Sequence, residues 1–330
     1  MQAAYYDTTG PAREVLQLGE LPEPEPAAGE VRVRLYASGV NPSDVKTRAG
    51  LRSETLAFDR IVPHSDGAGV IDRVGAGVSP TRIGERVWLW NAAWGRAHGS
   101  AAEYVALPAA QAVPLPREVS FVAGACLGIP AMTALHAVQG FGGVAGRAVL
   151  VAGGAGAVGH YAVQFARLLG AAQVIATVSG EAKAEIARQA GAHATVDYRR
   201  EDVAQRVREL TGGAGMDRVI EVDVAANGRL DTGLLRRGGE VVVYGSGARE
   251  FTLPFFPLIA GNVSLHFFIV YHLADEDRAA AQTTLTRLLE EGRLIHHIAQ
   301  RLPLAHIVQA HEMVESGTAV GNVVLVQDVT

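Results

Sequence analysis

A glycine-rich turn between an apolar run and an amphipathic segment constrains this chain more than any other feature. Residues 148–152, Ala-Val-Leu-Val-Ala, have the length and composition of a buried strand. Gly154, Gly156 and Gly159 follow in G-x-G-x-x-G spacing. Behind them apolar residues recur every three or four positions, as on a helix packed against a sheet: Val158, Ala162, Phe165, Ala166 and Leu169. This order predicts a dinucleotide-binding unit.

Each glycine has its own expected task in such a unit. Gly154 allows a sharp turn, Gly156 lets the backbone approach a pyrophosphate, and Gly159 lets the helix pack close to the strand. The free N–H groups and the positive end of the helix then face the phosphates. The candidate cofactor-binding residues of this turn are Gly154, Ala155, Gly156, Ala157, Val158 and Gly159.

Composition narrows the class of protein. A chain of 330 residues fits two domains, and its net charge of -5, spread without blocks, argues against a nucleic-acid partner. Cys126 is the only cysteine, so neither an internal disulfide nor a multi-cysteine zinc site is possible. Because we find no signal-peptide pattern and no apolar run of about 18 residues, we expect a cytoplasmic protein without a membrane partner.

The first third of the chain has the pattern of a β-rich domain. Residues 31–36 alternate apolar and polar, which predicts a half-buried strand, and proline and glycine precede them. Further strands are expected at 70–75, 86–90 and 99–107, separated by glycine turns. Many short strands of this kind predict a barrel-like β domain.

Strand and helix patterns alternate after residue 120. Residues 121–140 have a helical composition with Pro130 at a kink or a helix start. The sequence then predicts strands at 148–152, 173–178, 194–197, 217–222 and 240–245, and helices at 181–190 and 203–210. This alternation predicts a doubly wound parallel sheet. A long helix at 275–291 and a strand at 321–326 follow, and we expect the tail to return to the first domain.

Several blocks in order resemble the medium-chain dehydrogenase/reductase superfamily. They are Ser-Gly-Val-Asn-Pro-Ser-Asp at 38–44, Ser-Asp-Gly-Ala-Gly-Val-Ile at 65–71, Val-Gly-Ala-Gly-Val at 74–78, Gly-Glu-Arg-Val at 84–87, Ala-Glu-Tyr-Val at 102–105, Leu-Gly-Ile-Pro-Ala-Met-Thr-Ala at 127–134 and Ala-Gly-Ala-Val-Gly at 155–159. The most similar branch is quinone oxidoreductase, resembling zeta-crystallin. The resemblance implies a GroES-like catalytic domain split between residues 1–121 and 264–330, a Rossmann domain at 122–263, and a cofactor cleft between them.

The resemblance also bears on zinc. Zinc-dependent alcohol dehydrogenases of this superfamily have a cysteine ligand where this chain has Asn41, and a histidine before an acidic residue where it has Ser65 before Asp66. A zinc site needs three or four ligands within tetrahedral reach. Cys126, His64 and Asp66 would form one only by coincidence, so we predict no metal site.

The end of the second strand of the nucleotide unit favours NADPH (NADP+) over NADH. An NAD-specific unit has an acidic residue there for the ribose hydroxyls, whereas this chain has Ser179, and Glu181 lies nearby. Lys183 and Tyr198 stand where similar NADPH-dependent quinone reductases use the same residue types, and Arg199 is a further cation. Alternatively, Ser179 caps the next helix and the cations are solvated. Near the C-terminus, Asn322 stands where zeta-crystallin-like proteins have a phosphate-binding lysine.

The resemblance assigns the catalytic candidates Asn41, Asp44, Lys46 and Thr133. Asn41 would orient the cofactor or a substrate oxygen, or serve as a turn residue before a proline. Asp44 would position water, or cap a helix. Lys46 replaces a tyrosine of zeta-crystallin-like reductases, as Arg52 does, and resembles a lysine of plant enone and alkenal reductases. A cation there would stabilise an enolate, or would simply be solvated.

Other candidates lie at the carboxyl edge of the predicted sheet, where ligands bind. Gly245, Ser246 and Gly247 follow a strand, and Asn227 is placed in the same region. Phe267 and Phe268 would contact the carboxamide or form an apolar wall. His64 is the one histidine with an expected active-site alternative.

Together these features predict an NADPH-dependent reductase that transfers hydride to a quinone or an α,β-unsaturated carbonyl (enone or enal) without a metal. The alternatives are an NADPH-binding protein with a structural or regulatory role, and a zinc-free reductase resembling alcohol dehydrogenase. We also expect a homodimer, because residues 241–273 are dense in Val, Phe, Leu and Ile and include a possible edge strand.

Overall fold

The computed structural model describes residues 1–53 and 55–327, and the chain forms two compact units. One unit comprises Met1–Pro130 and the chain from Thr286 onward, and the other comprises Ala131–Leu285. We call them the N-terminal unit and the central unit. Residue 54 and residues 328–330, which fall within the predicted catalytic domain, lie outside the described residues.

The N-terminal unit begins with short strands and three helices. In chain order these are β1 (Gln2–Tyr5), α1 (Ala12–Val15), β2 (Gln17–Glu20), β3 (Glu30–Val40), α2 (Pro42–Arg48), β4 (Asp66–Val74), β5 (Arg86–Leu89), β6 (Tyr104–Pro108), β7 (Ala112–Pro114) and α3 (Phe121–Gly124). The strand expected at 99–107 is therefore confirmed only from Tyr104 onward. A π-helical turn at Leu127–Ala131 contains Pro130, in agreement with the expected kink.

The central unit alternates helix and strand as the sequence predicts. Its elements are α4 (Met132–Gln139), β8 (Ala148–Val151), α5 (Ala157–Leu168), β9 (Gln173–Val178), α6 (Glu181–Gln189), β10 (Ala194–Asp197), α7 (Val203–Leu210), β11 (Met216–Glu221), α8 (Val224–Leu234), β12 (Leu235–Val243), α9 (Phe255–Gly261), β13 (Ser264–Phe267) and α10 (Asp275–Glu290). The tail adds β14 (Ile298–Pro303), α11 (Ile307–Glu315) and β15 (Asn322–Val326).

The sheet of the N-terminal unit runs in the order β14-β15-β3-β4-β5-β7, with β6 also paired to β3. Strand β15 pairs antiparallel with β3, so the tail returns to this unit as expected. The alternating pattern of β3 predicted exposed polar positions, but Arg32 is 3% exposed. Its guanidinium donates to both carboxylate oxygens of Asp72, at 3.0 and 2.7 Å, and also to Glu23, so the ion pairs compensate its burial.

The sheet of the central unit runs in the order β10-β9-β8-β11-β12-β13, and every neighbouring pair is parallel. Numbered from β8 this is the order 3-2-1-4-5-6 of a Rossmann fold, whose strand order reverses between β8 and β11. The predicted doubly wound sheet is confirmed. Apolar side chains of β8–β12 and the flanking helices form its core, among them Leu150, Ile175, Val219 and Val241.

The boundaries of the central unit differ from those expected at residues 122 and 263. Strand β13 pairs with β12 as the sixth strand, and the segment up to Leu285 packs with this sheet. The resemblance placed the chain from residue 264 onward in the catalytic domain, whereas β13 belongs to the sheet of the central unit. No helix among the described residues is long and apolar enough to cross a membrane.

Candidate cofactor and active site

The glycine turn lies between β8 and α5 and differs in detail from expectation. The residue with positive φ is Gly153, at 66°, so this residue and not Gly154 makes the sharp turn. Gly154 instead lies against the next strand, where an added Cβ would stand 2.5 Å from Cβ of Ala176. A Cβ on Gly159 would overlap the carbonyl of Gly153, so the first turn of α5 packs directly on the turn.

The N-terminus of α5 is open for an anion. Gly156 is its N-cap residue, is exposed and makes no side-chain cap bond. The first N–H groups of a helix have no partner within the helix, and the helix dipole adds partial positive charge there. Ala157 and Val158 begin the helix, and Ala155 is buried beside them. A pyrophosphate therefore fits this end of α5 without a Cβ in its way.

A serine and a lysine stand at the end of β9. Lys183 Nζ donates a hydrogen bond to Ser179 Oγ at 2.9 Å, and both side chains are half-buried. The N-cap of α6 is Gly180 without a side-chain bond, so the alternative that Ser179 caps this helix is wrong. The carboxylate of Glu181 pairs with Arg188, which offsets its expected repulsion of a phosphate.

One cavity of the central unit, about 600 Å³, lies at the carboxyl ends of the strands beside this turn. It brings together Tyr198, which is 52% exposed, and Asn227 of α8. Asn227 Nδ2 donates to Glu221 Oε1 at 3.0 Å. Glu221 and Asp231, both buried, line the same cavity. Burial and the neighbouring charge of Glu221 raise the pKa of Asp231 to about 9.

A second cavity of about 760 Å³ is lined by Gly245, Ser246, Phe267 and Phe268. Asn227 lines the first cavity and not this one, but the two cavities meet at α8, where the N–H of Val224 donates to the carbonyl of Gly245 at 3.3 Å. An added Cβ on Gly245 would overlap the carbonyl of Val222, because the ends of β11 and β12 approach closely here. The N–H of Gly247 donates to Asp223 Oδ1 at 2.7 Å.

In the N-terminal unit, Asn41, Asp44 and Asp66 form one buried network. The N–H of Asn41 donates to Asp44 Oδ2 at 2.8 Å, and Asn41 Nδ2 donates to Asp66 Oδ2 at 3.0 Å. Asp44 therefore reaches back to cap α2, as one expected alternative required. Burial raises the pKa of Asp44 to about 7, and burial also raises the pKa of Asp66 well above its usual value.

Lys46 lies on α2 two residues after Asp44 and is half-buried. Arg52, the second replaced tyrosine, has its guanidinium carbon 5.9 Å from the ring centroid of Trp94. The positive charge of Arg52 acts on Asp44 and lowers the pKa of that carboxyl, against the larger effect of burial. Lys46 is thus part of α2, and the charge of Arg52 acts on a carboxyl of the same helix.

His64 belongs to the core of the N-terminal unit. It is fully buried and has a left-handed φ of 77°. Its Nδ1 forms a hydrogen bond of 2.8 Å with Ser38 Oγ. Its Nε2 lies 2.9 Å from Nε2 of His311, which is also fully buried. Burial lowers the pKa of His64 to about 3 and lowers the pKa of His311 further below the usual range. The His64 side chain is therefore closed off from solvent, which does not favour the active-site role expected as an alternative.

The remaining candidates are buried. Thr133 on α4 is 5% exposed. Asn322 at the start of β15 is also 5% exposed, and its backbone N–H and its Nδ2 both donate to the carbonyl of His297 at 3.0 Å. One hydrogen of its side-chain amide is therefore engaged by the backbone.

The donor set for a metal is dispersed. Cys126 Sγ donates to the carbonyl of Val122 at 3.4 Å, Asp66 is bonded to Asn41, and His64 is bonded to Ser38 and His311. Within residues 1–53 and 55–327, no group of three or more His, Cys, Asp or Glu side chains is arranged to hold a metal ion. These side chains therefore do not fit a catalytic zinc.

The Glu221–Asp231 pair is the main feature that sequence reasoning missed. Ten residues separate the two carboxylates, one at the end of a strand and the other inside a helix, so no local spacing relates them. An acidic residue ending an otherwise apolar strand, Arg-Val-Ile-Glu at 218–221, was the available signal.

Comparison with known proteins agrees with this architecture. The alcohol dehydrogenase GroES-like domain family matches residues 27–117, and the zinc-binding dehydrogenase family matches residues 157–288. A quinone oxidoreductase from Pongo abelii is 32% identical over 317 residues, which cover 94% of this chain and 94% of that protein. A 2-haloacrylate reductase from a Burkholderia species is 31% identical and covers 98% of both chains.

Two solved structures have the same fold. Escherichia coli quinone oxidoreductase complexed with NADPH has a TM-score of 0.87 at 27% identity, covering 99% of this chain and 100% of that chain. An NAD-dependent alcohol dehydrogenase has a TM-score of 0.91 at 33% identity, covering 99% of each chain.

A GroES-like β unit together with a Rossmann unit defines an oxidoreductase of the dehydrogenase/reductase class. The chain belongs to the quinone oxidoreductase branch of the medium-chain dehydrogenase/reductase superfamily.

Proposed function

We propose that this protein is an NADPH-dependent reductase that transfers hydride to a quinone or an α,β-unsaturated carbonyl without a catalytic metal. The observation that carries the cofactor assignment is the Ser179–Lys183 pair at the end of β9, where an NAD-specific unit would have a carboxylate. A hydroxyl and an ammonium suit the 2'-phosphate of NADPH. A structural relative complexed with NADPH supports the same choice. Because another structural relative is an NAD-dependent alcohol dehydrogenase, the experiment below compares both cofactors.

The substrate class rests on the relatives and on α2. A quinone oxidoreductase and a 2-haloacrylate reductase are both similar over nearly the whole chain, and their named substrates contain conjugated double bonds. Conjugation spreads developing negative charge onto an oxygen, so such a substrate needs little Lewis-acid help. The dispersed donor set around Asp66 supports a reaction without metal.

When bound, the nicotinamide supplies the hydride. The residues of the N-terminal unit would then orient the substrate and balance its charge. Asn41 is fixed by its bond to Asp66, so its amide has one defined orientation. Lys46 would place a cation near the oxygen that gains charge. Asp44, whose pKa is raised to about 7 by burial, can carry a proton near neutral pH.

We also propose a homodimer formed along β13. This strand is the last in the order of the central sheet, so one of its two hydrogen-bonding edges has no partner strand among the described residues. Large apolar side chains around it are exposed: Phe251, Phe255, Phe256, Ile259, Phe267 and Ile269. Exposed apolar area of this kind marks a protein interface.

The test measures oxidation of NADPH and NADH against 1,4-benzoquinone, 9,10-phenanthrenequinone, an alkyl vinyl ketone and a 2-alkenal, each with and without a chelator. We expect turnover that requires NADPH and is insensitive to the chelator. A control without acceptor substrate gives the background oxidation of each cofactor.

Other outcomes select the alternatives. Tight NADPH binding without turnover of any acceptor would indicate a structural or regulatory protein. Turnover of simple aldehydes and ketones, but not of conjugated acceptors, would indicate a reductase resembling alcohol dehydrogenase. Loss of activity with chelator, restored by zinc, would contradict the metal-free reaction.

A further inference from the structure

Two carboxylic acids lie side by side beneath the cavity of about 600 Å³ in the central unit. Glu221 is the last residue of β11 and is fully buried, and Asp231 lies inside α8 and is 2% exposed. The two carboxyl groups affect one another, since burial, then the charge of Glu221 and a hydrogen bond with it, raise the pKa of Asp231 to about 9. Among the described residues no Lys, Arg or His forms an ion pair with either. Two adjacent buried carboxyls without a cation cannot both ionise, so they share a proton.

The remaining oxygens of the pair show where the proton lies. Glu221 Oε1 accepts from Asn227 Nδ2 at 3.0 Å and from the N–H of Asp223. Glu221 Oε2 and Asp231 Oδ2 are buried and have no other donor among the described residues. A proton held between the two carboxyl groups satisfies both oxygens. The pair is therefore complete only when it carries one proton.

This bond also fixes Asn227. Because Nδ2 donates one hydrogen to Glu221, the orientation of the amide is fixed, and its oxygen Oδ1 and its second hydrogen are left for a ligand in the cavity. Asn227 is half-buried at the cavity wall. The cavity lies at the carboxyl ends of β8–β11, beside Gly153 and Thr177, where a Rossmann sheet binds its dinucleotide. The position of the Asn227 amide thus depends on the protonated pair below it.

The charges around the pair are negative or neutral. Asp223 and Glu201 line the same cavity, and Arg206 of α7 is 3.6 Å from Glu201 and does not pair with Glu221 or Asp231. Helix α9 contributes no ionisable side chain. Tyr244, at the end of β12, is affected by the charge of Glu221, which together with burial raises the pKa of this phenol.

The other ionisable group at the cavity wall is Tyr198, which is exposed. Within the described part of the chain, no Lys, Arg or His pairs with Glu221 or Asp231 to compensate a second negative charge. Losing the shared proton would therefore place two like charges in contact under a site for an anionic dinucleotide.

We propose that Glu221 and Asp231 are positioning residues whose shared proton holds Asn227 in the orientation that binds the cofactor, so that cofactor affinity is linked to this proton. The proposal rests on the proposed function, because it takes NADPH as the ligand of the central unit. It assigns a role to two carboxylic acids that do not touch the reacting atoms.

The test follows the Kd of NADPH by its fluorescence between pH 7.5 and 9.6 in the full-length protein. Since burial and Glu221 raise the pKa of Asp231 to about 9, the wild-type Kd should rise about four- to fivefold between pH 8 and 9.6. Asp231→Asn keeps an uncharged hydrogen-bonding group next to Glu221, and its Kd should not rise over this range. Glu209→Gln, an exposed carboxyl on α7, is the matched control and should retain the rise.

A second readout separates positioning from packing. The native pair holds a proton that the unfolded chain releases near pH 4, so the contribution of the pair to stability should decrease as pH increases from 7 to 9. The stability of Asp231→Asn, measured by thermal unfolding, should decrease less steeply with pH, because this variant has no such proton. If Asp231→Asn does not fold, Glu221→Gln removes the other member of the pair and should likewise abolish the rise in Kd.

The outcomes are distinguishable. A wild-type Kd that stays constant to pH 9.6, or an equal rise in Asp231→Asn, overturns the inference while NADPH binding itself stands. A wild-type protein that does not bind NADPH at any pH overturns the proposed function instead.

Discussion

Lys183 and Ser179 are joined by a hydrogen bond of 2.9 Å at the end of β9, one helical turn apart. The bond holds the ammonium group beside the position that decides between the two nicotinamide cofactors. The nearby carboxylate of Glu181 is engaged by Arg188 and so adds little repulsion. The end of β9 therefore presents a net positive charge at the position of the 2'-phosphate.

Replacing Lys183 with Met should weaken NADPH binding about tenfold and leave NADH binding almost unchanged, because a charge-assisted bond to the 2'-phosphate is lost. The Kd of each cofactor, measured by fluorescence, gives the ratio. Arg208→Met, an exposed cation on α7, is the matched control and should leave the ratio as it is. Equal weakening of both cofactors by Lys183→Met would contradict the assignment.

Lys46 should matter more for enones than for quinones. Removing an oxyanion-stabilising group typically lowers kcat by about a hundredfold, so Lys46→Met should lower kcat for an alkyl vinyl ketone by about ten- to a hundredfold. We expect a smaller loss with 9,10-phenanthrenequinone, because its anion is more delocalised. Lys46→Arg keeps the charge and should recover part of the enone rate. A loss of the same size for both acceptors would indicate a structural role.

Arg218 stabilises the central unit from the inside. It is fully buried on β11 and donates to the carbonyls of Ala137, Val138, Gly140 and Phe141 at 2.8–3.1 Å, at the end of α4. Its guanidinium also pairs with Glu240 at 2.7 Å.

Removing this cation should leave four carbonyls without their donor and take one of three basic partners from Glu240, which keeps Arg147 and His266. Arg218→Met should therefore lower the free energy of unfolding by about 3–5 kcal/mol. Chemical denaturation measures the change. Arg236→Met, whose cation is more than half exposed and pairs with Asp217, should cost less than about 1 kcal/mol. Similar losses in the two variants would show that burial does not decide the contribution of Arg218.

The His64–His311 pair should make the N-terminal unit sensitive to acid. Burial depresses the pKa of both imidazoles in the folded protein, so their stability is present above about pH 6.5 and is lost as pH falls. Each proton that only the unfolded chain binds contributes a slope of about 1.4 kcal/mol per pH unit.

The double variant His64→Asn, His311→Gln should therefore lose stability less steeply between pH 6 and pH 4.5. Asn is chosen because it tolerates the left-handed φ at residue 64. Thermal unfolding across this range compares the slopes, and the exposed His306→Gln serves as the control. A double variant with the wild-type slope would place the acid sensitivity elsewhere.

The aromatic side chains of α9 test the homodimer. Phe255 and Phe256 are each 75% exposed next to the edge strand β13. We expect a dimeric mass by light scattering at micromolar concentration, and Phe255→Asp with Phe256→Asp should shift it to the monomeric mass. Phe58→Asp, an exposed aromatic of the N-terminal unit, should stay dimeric. A monomeric wild-type mass would remove the proposal.

The strand–turn–helix pattern was readable because it is local. The apolar run of β8, the glycine spacing and the helical period of α5 lie within about twenty residues, and the parallel sheet follows from repeating the same pattern. The apolar density of residues 241–273 indicated an edge strand, but not that β13 is the sixth strand of the parallel sheet, because its pairing with β12 is a contact that a run of four residues does not specify.

Burial of charge was not readable. A strand pattern treats Arg32 and Arg218 as solvent-facing, yet both are buried because partners distant in the chain compensate their charge. The same limit applies to Glu221 and Asp231, which meet only after β11 and α8 are packed.

The composition of the chain makes Lys183, which donates to Ser179, observable by spectroscopy. Of its 29 basic Lys and Arg residues, only Lys46 and Lys183 are lysines. Reductive methylation with an isotope-labelled methyl donor would therefore mark two side chains and the N-terminal amine. One NMR signal would report on the ammonium at the end of β9, and another on α2. Each lysine signal would follow a ligand at one predicted position.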